Sequence, residues 1–145
     1  MNSIFIKIAT LLAVGGALSA PGESHACKCA PPPSAKVAMT RSTAVFVGYV
    51  ADMVTTGPGT EKLTEHERMV VLKVRRRWKG EDMQEERVAT RKVAPACGYP
   101  FKKGEVYIVF AEGGPERRRT GRCSNTAPYS EKLARKLDKL EAASR

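Results

Sequence analysis

Histidine is scarce in this chain: of 145 residues only His25 and His66 carry an imidazole. Acidic residues are few as well, 15 against 25 lysines and arginines. No C-x-x-C pair occurs, no segment repeats, and no apolar run reaches the roughly 20 residues that cross a bilayer. Each absence excludes something. His66, flanked by Glu65 and Glu67, reads as a solvated charge cluster rather than an acid/base site. No Ser/His/Asp set can be assembled around it, so an enzyme is not expected. The Gly57-Pro58-Gly59 stretch lacks the spacing of a phosphate-binding loop, and no cofactor is expected. Cysteine knuckles for a resident zinc are missing too, since the four cysteines fall as one C-x-C and two distant singletons.

What is present begins with a leader. Lys7 precedes an apolar run over residues 8–18, and Ser24-His25-Ala26 puts small residues at the −3 and −1 positions of a cleavage site. This is the pattern of a secretory signal peptide covering residues 1–26, with Cys27 as the first residue of the exported chain. The remaining 119 residues, 27–145, have the length of one domain and contain all four cysteines. In an exported chain of this size an even cysteine count points to disulfides, and four cysteines allow three pairings. A monomer in the periplasm or outside the cell is expected.

The formal net charge of +10, with a pI near 9.7, predicts attraction to acidic surfaces. Anionic polysaccharide, phospholipid headgroups and acidic proteins qualify, whereas export argues against nucleic acid. The candidate anion-facing residues are Arg75, Arg77, Lys79, Arg91, Lys92, Lys102, Lys103, Arg117, Arg118 and Arg119, with Arg87 and Arg122 nearby in sequence.

Along the chain, Pro31-Pro32-Pro33 makes the new N-terminus stiff and extended. Ser34 is placed to cap a helix of about two turns ending near Arg41. Residues 43–51 are rich in β-branched and aromatic side chains and predict a strand, with Gly48 marking a bulge or tight bend. A long loop follows to His66. Residues 67–78 alternate, which puts Val70, Leu72, Val74 and Trp78 on one face and Val71, Lys73, Arg75 and Arg77 on the other. Strands at 86–93 and 105–111 and an amphipathic helix over 130–143, with Leu133, Leu137 and Leu140 inward, complete the set. The expected architecture is mainly β: a five-stranded closed barrel of the oligonucleotide/oligosaccharide-binding (OB) type, with a short N-terminal and a C-terminal helix.

The Cys27-Lys28-Cys29 opening, the Cys97-Gly98 bend before a Val-Tyr-Ile-Val strand, and Cys123-Ser124-Asn125-Thr126 before the last helix form a frame. That frame resembles the N-terminal domain of the tissue inhibitors of metalloproteinases, within the netrin-like group. The resemblance implies the OB barrel and the pairings Cys27–Cys97 and Cys29–Cys123. It implies a secreted metalloendopeptidase inhibitor in which the amine and carbonyl of Cys27 chelate a protease's catalytic zinc. Lys28 would enter the pocket beside the metal, Cys29, Ala30 and Pro31 would continue along the groove, and Pro95 and Ala96 would form a second ridge. No metal of its own is implied. Two departures stand out: Lys28 replaces the small Ser or Thr of the animal members, and their third disulfide and C-terminal domain have no counterpart here. The alternative function is a netrin-like module that holds an anionic polysaccharide or partner protein on its basic face.

Overall fold

The computed structural model of the protein describes residues 27–92 and 97–145; the expected leader and the expected ridge residues Pro95 and Ala96 lie outside the described residues. The elements in order are α1 (Ala35–Arg41), β1 (Ala44–Val54), β2 (Glu67–Lys79), β3 (Glu85–Arg91), β4 (Val106–Ala111), a 3-10 turn at Pro115–Arg117, β5 (Arg118–Arg119), β6 (Ala127–Pro128) and α2 (Glu131–Ala142). The fold is mainly β. A curled, half-barrel sheet of six strands runs β5-β3-β2-β1-β4-β6, with four long strands and two of only two residues at its margins. A closed ladder of five strands was expected. The ladder instead has six members, and an isolated bridge between Glu112 and Arg119 links the end of β4 to β5.

β1 lies at the centre and is covered on both faces, so its sequence reads as a continuous apolar run instead of an alternation. Ala44, Phe46 and Val50 face an inner cluster with Val70, Leu72, Val88, Tyr107 and Val109. Val45 and Val47 face an outer cluster with Trp78, Ile108, Phe110 and the helices. Ser34 caps α1, its Oγ accepting from the Val37 amide, and Ser130 does the same for α2 from Leu133. α2 buries Ala134 and Leu137 against the sheet, and Leu133 and Leu140 pack beside them. Trp78 Nε1 donates to Asp138 at 2.7 Å, which fixes the helix on the strand beneath it.

The alternation read along β2 breaks between Val74 and Arg76, at one of three register shifts between β1 and β2. Val47 pairs with Arg76 but Gly48 pairs with Val74, which leaves Arg75 without an opposite residue. An extra residue in one strand exchanges the two faces beyond it. Val70, Leu72 and Val74 therefore pack inside, whereas Trp78 turns outward to the helices. Arg77 turns inward, with its guanidinium 5.2 Å from the Phe46 ring centroid. Gly48 sits at this step. A Cβ there would lie 2.8 Å from Leu72 Cδ2 and 3.1 Å from Phe46 Cε2, so the close strand crossing leaves no room for a side chain.

Among the described residues no helix is long and apolar enough to cross a membrane.

Candidate functional site: the disulfide-anchored arm of residues 27–33

Of the three pairings open to four cysteines, the structure takes Cys27–Cys97 and Cys29–Cys123. The two bridges touch: Cys27 Sγ lies 3.5 Å from Cys123 Sγ and 3.8 Å from Cys29 Sγ. Three of these sulfurs fall within 4.8 Å of one another, the spacing of a soft-metal site. All four are bonded in disulfides, so none is available as a thiolate ligand.

Each bridge lands on a braced part of the body. The Cys97 side begins in left-handed backbone, at φ 60°, and Gly98 then runs against the Arg91 carbonyl so closely that a Cβ would sit 1.8 Å from its oxygen. The Tyr99 amide donates to Thr90 Oγ1 at 2.9 Å, and Phe101 is buried against Tyr99 and Tyr107. Burial, with Glu105 hydrogen-bonded to its hydroxyl, pushes the Tyr107 phenol up to about 12. The Cys123 side is held by hydroxyls. Thr120 Oγ1 donates to the Phe110 carbonyl at 2.9 Å, Thr126 Oγ1 accepts from the Phe110 amide at 3.0 Å, and Ser124 Oγ donates to Gly121 O at 2.8 Å. The two sides also meet directly, the Arg122 amide donating to Cys97 O at 2.9 Å.

A third tether lies further along. Asn125 Nδ2 donates to Pro33 O at 2.9 Å, so residues 27–33 are pinned at both cysteines and at the last proline. Between the pins Lys28, Ala30, Pro31 and Pro32 are exposed. Under the arm lies a cavity of about 350 Å³ lined by Ala30, Pro31, Pro33, Phe110, Ser124 and Asn125 among others. A second cavity of about 330 Å³ reaches from Cys97 and Cys123 to Glu67, Glu112 and Arg119. Within it Glu67 is 4 % exposed. Burial raises its carboxyl, but the Thr64 amide and the Arg119 guanidinium outweigh that effect and hold it below the usual carboxylate range. This lower floor carries the Glu67–Arg119 pair together with Arg91 and Glu112, and the arm above it is apolar apart from Lys28.

The ten basic residues expected on one surface divide. Arg75, over the Tyr49 ring, and Arg91, Lys92 and Arg117 are exposed. Lys102 and Lys103 are exposed but face Glu105 and Asp52. Lys79 Nζ donates to the Met39 and Thr40 carbonyls at 2.9 and 3.0 Å and so closes the end of α1. Arg119 is engaged by Glu67. Arg118 does not belong to a surface at all: it is 1 % exposed, with Nε 2.9 Å from Glu86 Oε2 and Nη2 on Glu81. Arg77 reaches the same carboxylate at 2.8 Å. A buried carboxylate between two guanidiniums thus absorbs two of the cations. Sequence reading missed it because Glu86 looks like a solvent residue, although it shares the parity of Val88 and Thr90, both of which are buried.

No family model matches the chain, and neither does any curated protein.

Proposed function

We propose that the protein is a secreted inhibitor of zinc metalloendopeptidases, a netrin-like OB barrel whose exported form begins at Cys27. The reading starts from an elementary requirement. A catalytic zinc keeps one coordination position for water, and a neutral amine with a neighbouring carbonyl oxygen can replace that water as a five-membered chelate. An α-amine with a pKa of roughly 7.7–8.0 is partly neutral near pH 7, and metal binding draws off the remaining proton. Two donors on a flexible terminus would lose much of that gain to ordering, so the chelate needs a terminus fixed beforehand.

The observation that carries the reading is the convergence of both disulfides on residues 27 and 29, with sulfurs of separate bridges 3.5 Å apart. A bridge at each side of Lys28, with Pro33 held by Asn125, is an arrangement that fixes an exposed arm and does little to join one strand to another. The alternative of an anion-holding basic face has less behind it, since Arg77, Arg118 and Arg119 are engaged by Glu86 and Glu67.

Intact-mass analysis of the exported protein comes first. A mass beginning at Cys27 that gains four hydrogens on reduction is expected. Inhibition of zinc endopeptidases by that species, abolished by acetylating its amine, is the second expectation. A mass that retains residues before Cys27, or inhibition indifferent to acetylation, removes the chelating amine from the mechanism.

A further inference from the structure

The arm carries a single charged side chain, and its placement specifies the partner. Lys28 lies between two bridged cysteines and is exposed, and among the described residues no carboxylate or carbonyl meets its ammonium group. If Cys27 takes the place of the scissile carbonyl, the residue after it takes the place of the first substrate residue beyond the cut. Its side chain then enters the pocket next to the metal. Burying an ammonium group there is strongly unfavourable unless a carboxylate receives it.

Two further cations stand beside the knot. Arg122, whose amide binds Cys97 O, and Arg91, whose carbonyl abuts Gly98, are both exposed beside the knot and meet no acidic partner among the described residues. Some cations elsewhere are paired, Lys62 with Glu116, Lys73 with Glu85 and Lys103 with Asp52, whereas others such as Arg75 and Arg117 are exposed like Arg91 and Arg122. Of the acids near the knot, Glu67 is taken by Arg119, and Glu112 lines both cavities.

We infer that the partner is a zinc endopeptidase that cleaves on the amino side of lysine, with a carboxylate closing its primed-side pocket and an acidic rim around its cleft. This rests on the chelation reading above and adds to it the class of enzyme. Lys28 supplies selectivity, and Arg91 and Arg122 speed the encounter through long-range attraction.

The test uses the exported chain beginning at Cys27 and two zinc endopeptidases, one cutting before lysine and one before leucine. Wild type is expected to inhibit the lysine-directed enzyme, and Lys28→Leu to weaken that inhibition by roughly 100-fold or more while gaining against the leucine-directed one. Because Lys28 is exposed, the variant should fold as wild type does, which its thermal unfolding checks. Association of wild type with the lysine-directed enzyme should slow several-fold between low and high salt, and Arg122→Gln should slow it further at low salt. Equal or better inhibition of the leucine-directed enzyme by wild type overturns the inference and leaves chelation standing. Inhibition of neither enzyme by either protein removes both.

Discussion

Replacing Cys29 and Cys123 together by serine removes one bridge and leaves Cys27–Cys97 in place. Its cost follows from chain entropy in the unfolded state. A single bridge across the 70-residue separation of Cys27 and Cys97 is worth about 4.4 kcal/mol, and one across the 94 residues from Cys29 to Cys123 about 4.7 kcal/mol. These figures do not add, because the loops overlap. Once Cys27–Cys97 is closed, the path from Cys29 to Cys123 runs back through it. That path is about 28 residues, namely the two from Cys29 to Cys27 and the 26 from Cys97 to Cys123, and closing it is worth about 3.6 kcal/mol. Removing either bridge alone should therefore cost about 3–4 kcal/mol, and removing both about 8 kcal/mol. The second loss exceeds the first. Against a domain stability of about 5–15 kcal/mol, either single variant should still fold and the fully serine protein should be marginal. Urea denaturation of wild type and the three variants, followed by Trp78 fluorescence, measures each term. Two single-bridge losses that sum to the double loss would refute the overlapping-loop argument. A single loss below about 1 kcal/mol would mean that the unfolded chain already brings these segments together.

Three further outcomes follow from the interior. Glu86→Gln removes the buried carboxylate shared by Arg77 and Arg118, leaving only Glu81 on Arg118, and should cost about 3–5 kcal/mol in urea denaturation. A loss under 1 kcal/mol would mean that water reaches the cluster. Glu67 has a folded-state carboxyl held below its ordinary value, so its stabilisation is complete above the unfolded value, roughly pH 4.3, and is lost as pH falls through the lower folded value. Glu67→Gln should therefore lower the thermal midpoint at neutral pH, with the gap to wild type closing in acid. A gap that widened in acid would reverse the sign assigned to this group. Gly48→Val adds atoms where even a Cβ lies 2.8 Å from Leu72 Cδ2, and about 1–3 kcal/mol of destabilisation is expected in the same urea assay.

Much of the scaffold was legible because its signals are local. Ser34 and Ser130 are side chains that cap whatever helix follows them, and both do so. Leu133, Leu137 and Leu140 recur at the spacing of a helix turn, and that face packs on the sheet. Residues 43–51 and 105–111 are apolar and β-branched enough to be central strands in almost any arrangement, and they became β1 and β4 with shifts of a few residues at their ends. The stiffness of residues 27–33 was legible in the same way from the prolines, whereas the points at which their cysteines are anchored were not, because four cysteines allow three pairings.

What tertiary structure decided is whatever depends on a neighbour distant in the chain. The unpaired Arg75 is set by how β2 crosses β1 at Gly48, and that one residue sends Trp78 out to Asp138 and brings Arg77 in to Glu86. Arg118 and Glu86 are 32 residues apart and look like solvent charges until the curl of the sheet encloses both. Asn125 reaches Pro33 across 92 residues. By itself the sequence determined the two helices, the four long strands and a stiff, cysteine-bearing segment at residues 27–33, but not the two-residue β5 and β6. Which charges are buried, and what braces residues 27–33, were decided by packing. Periodicity encodes a residue's relation to its own strand or helix, whereas burial and ion pairing depend on distances between segments that the linear pattern does not contain.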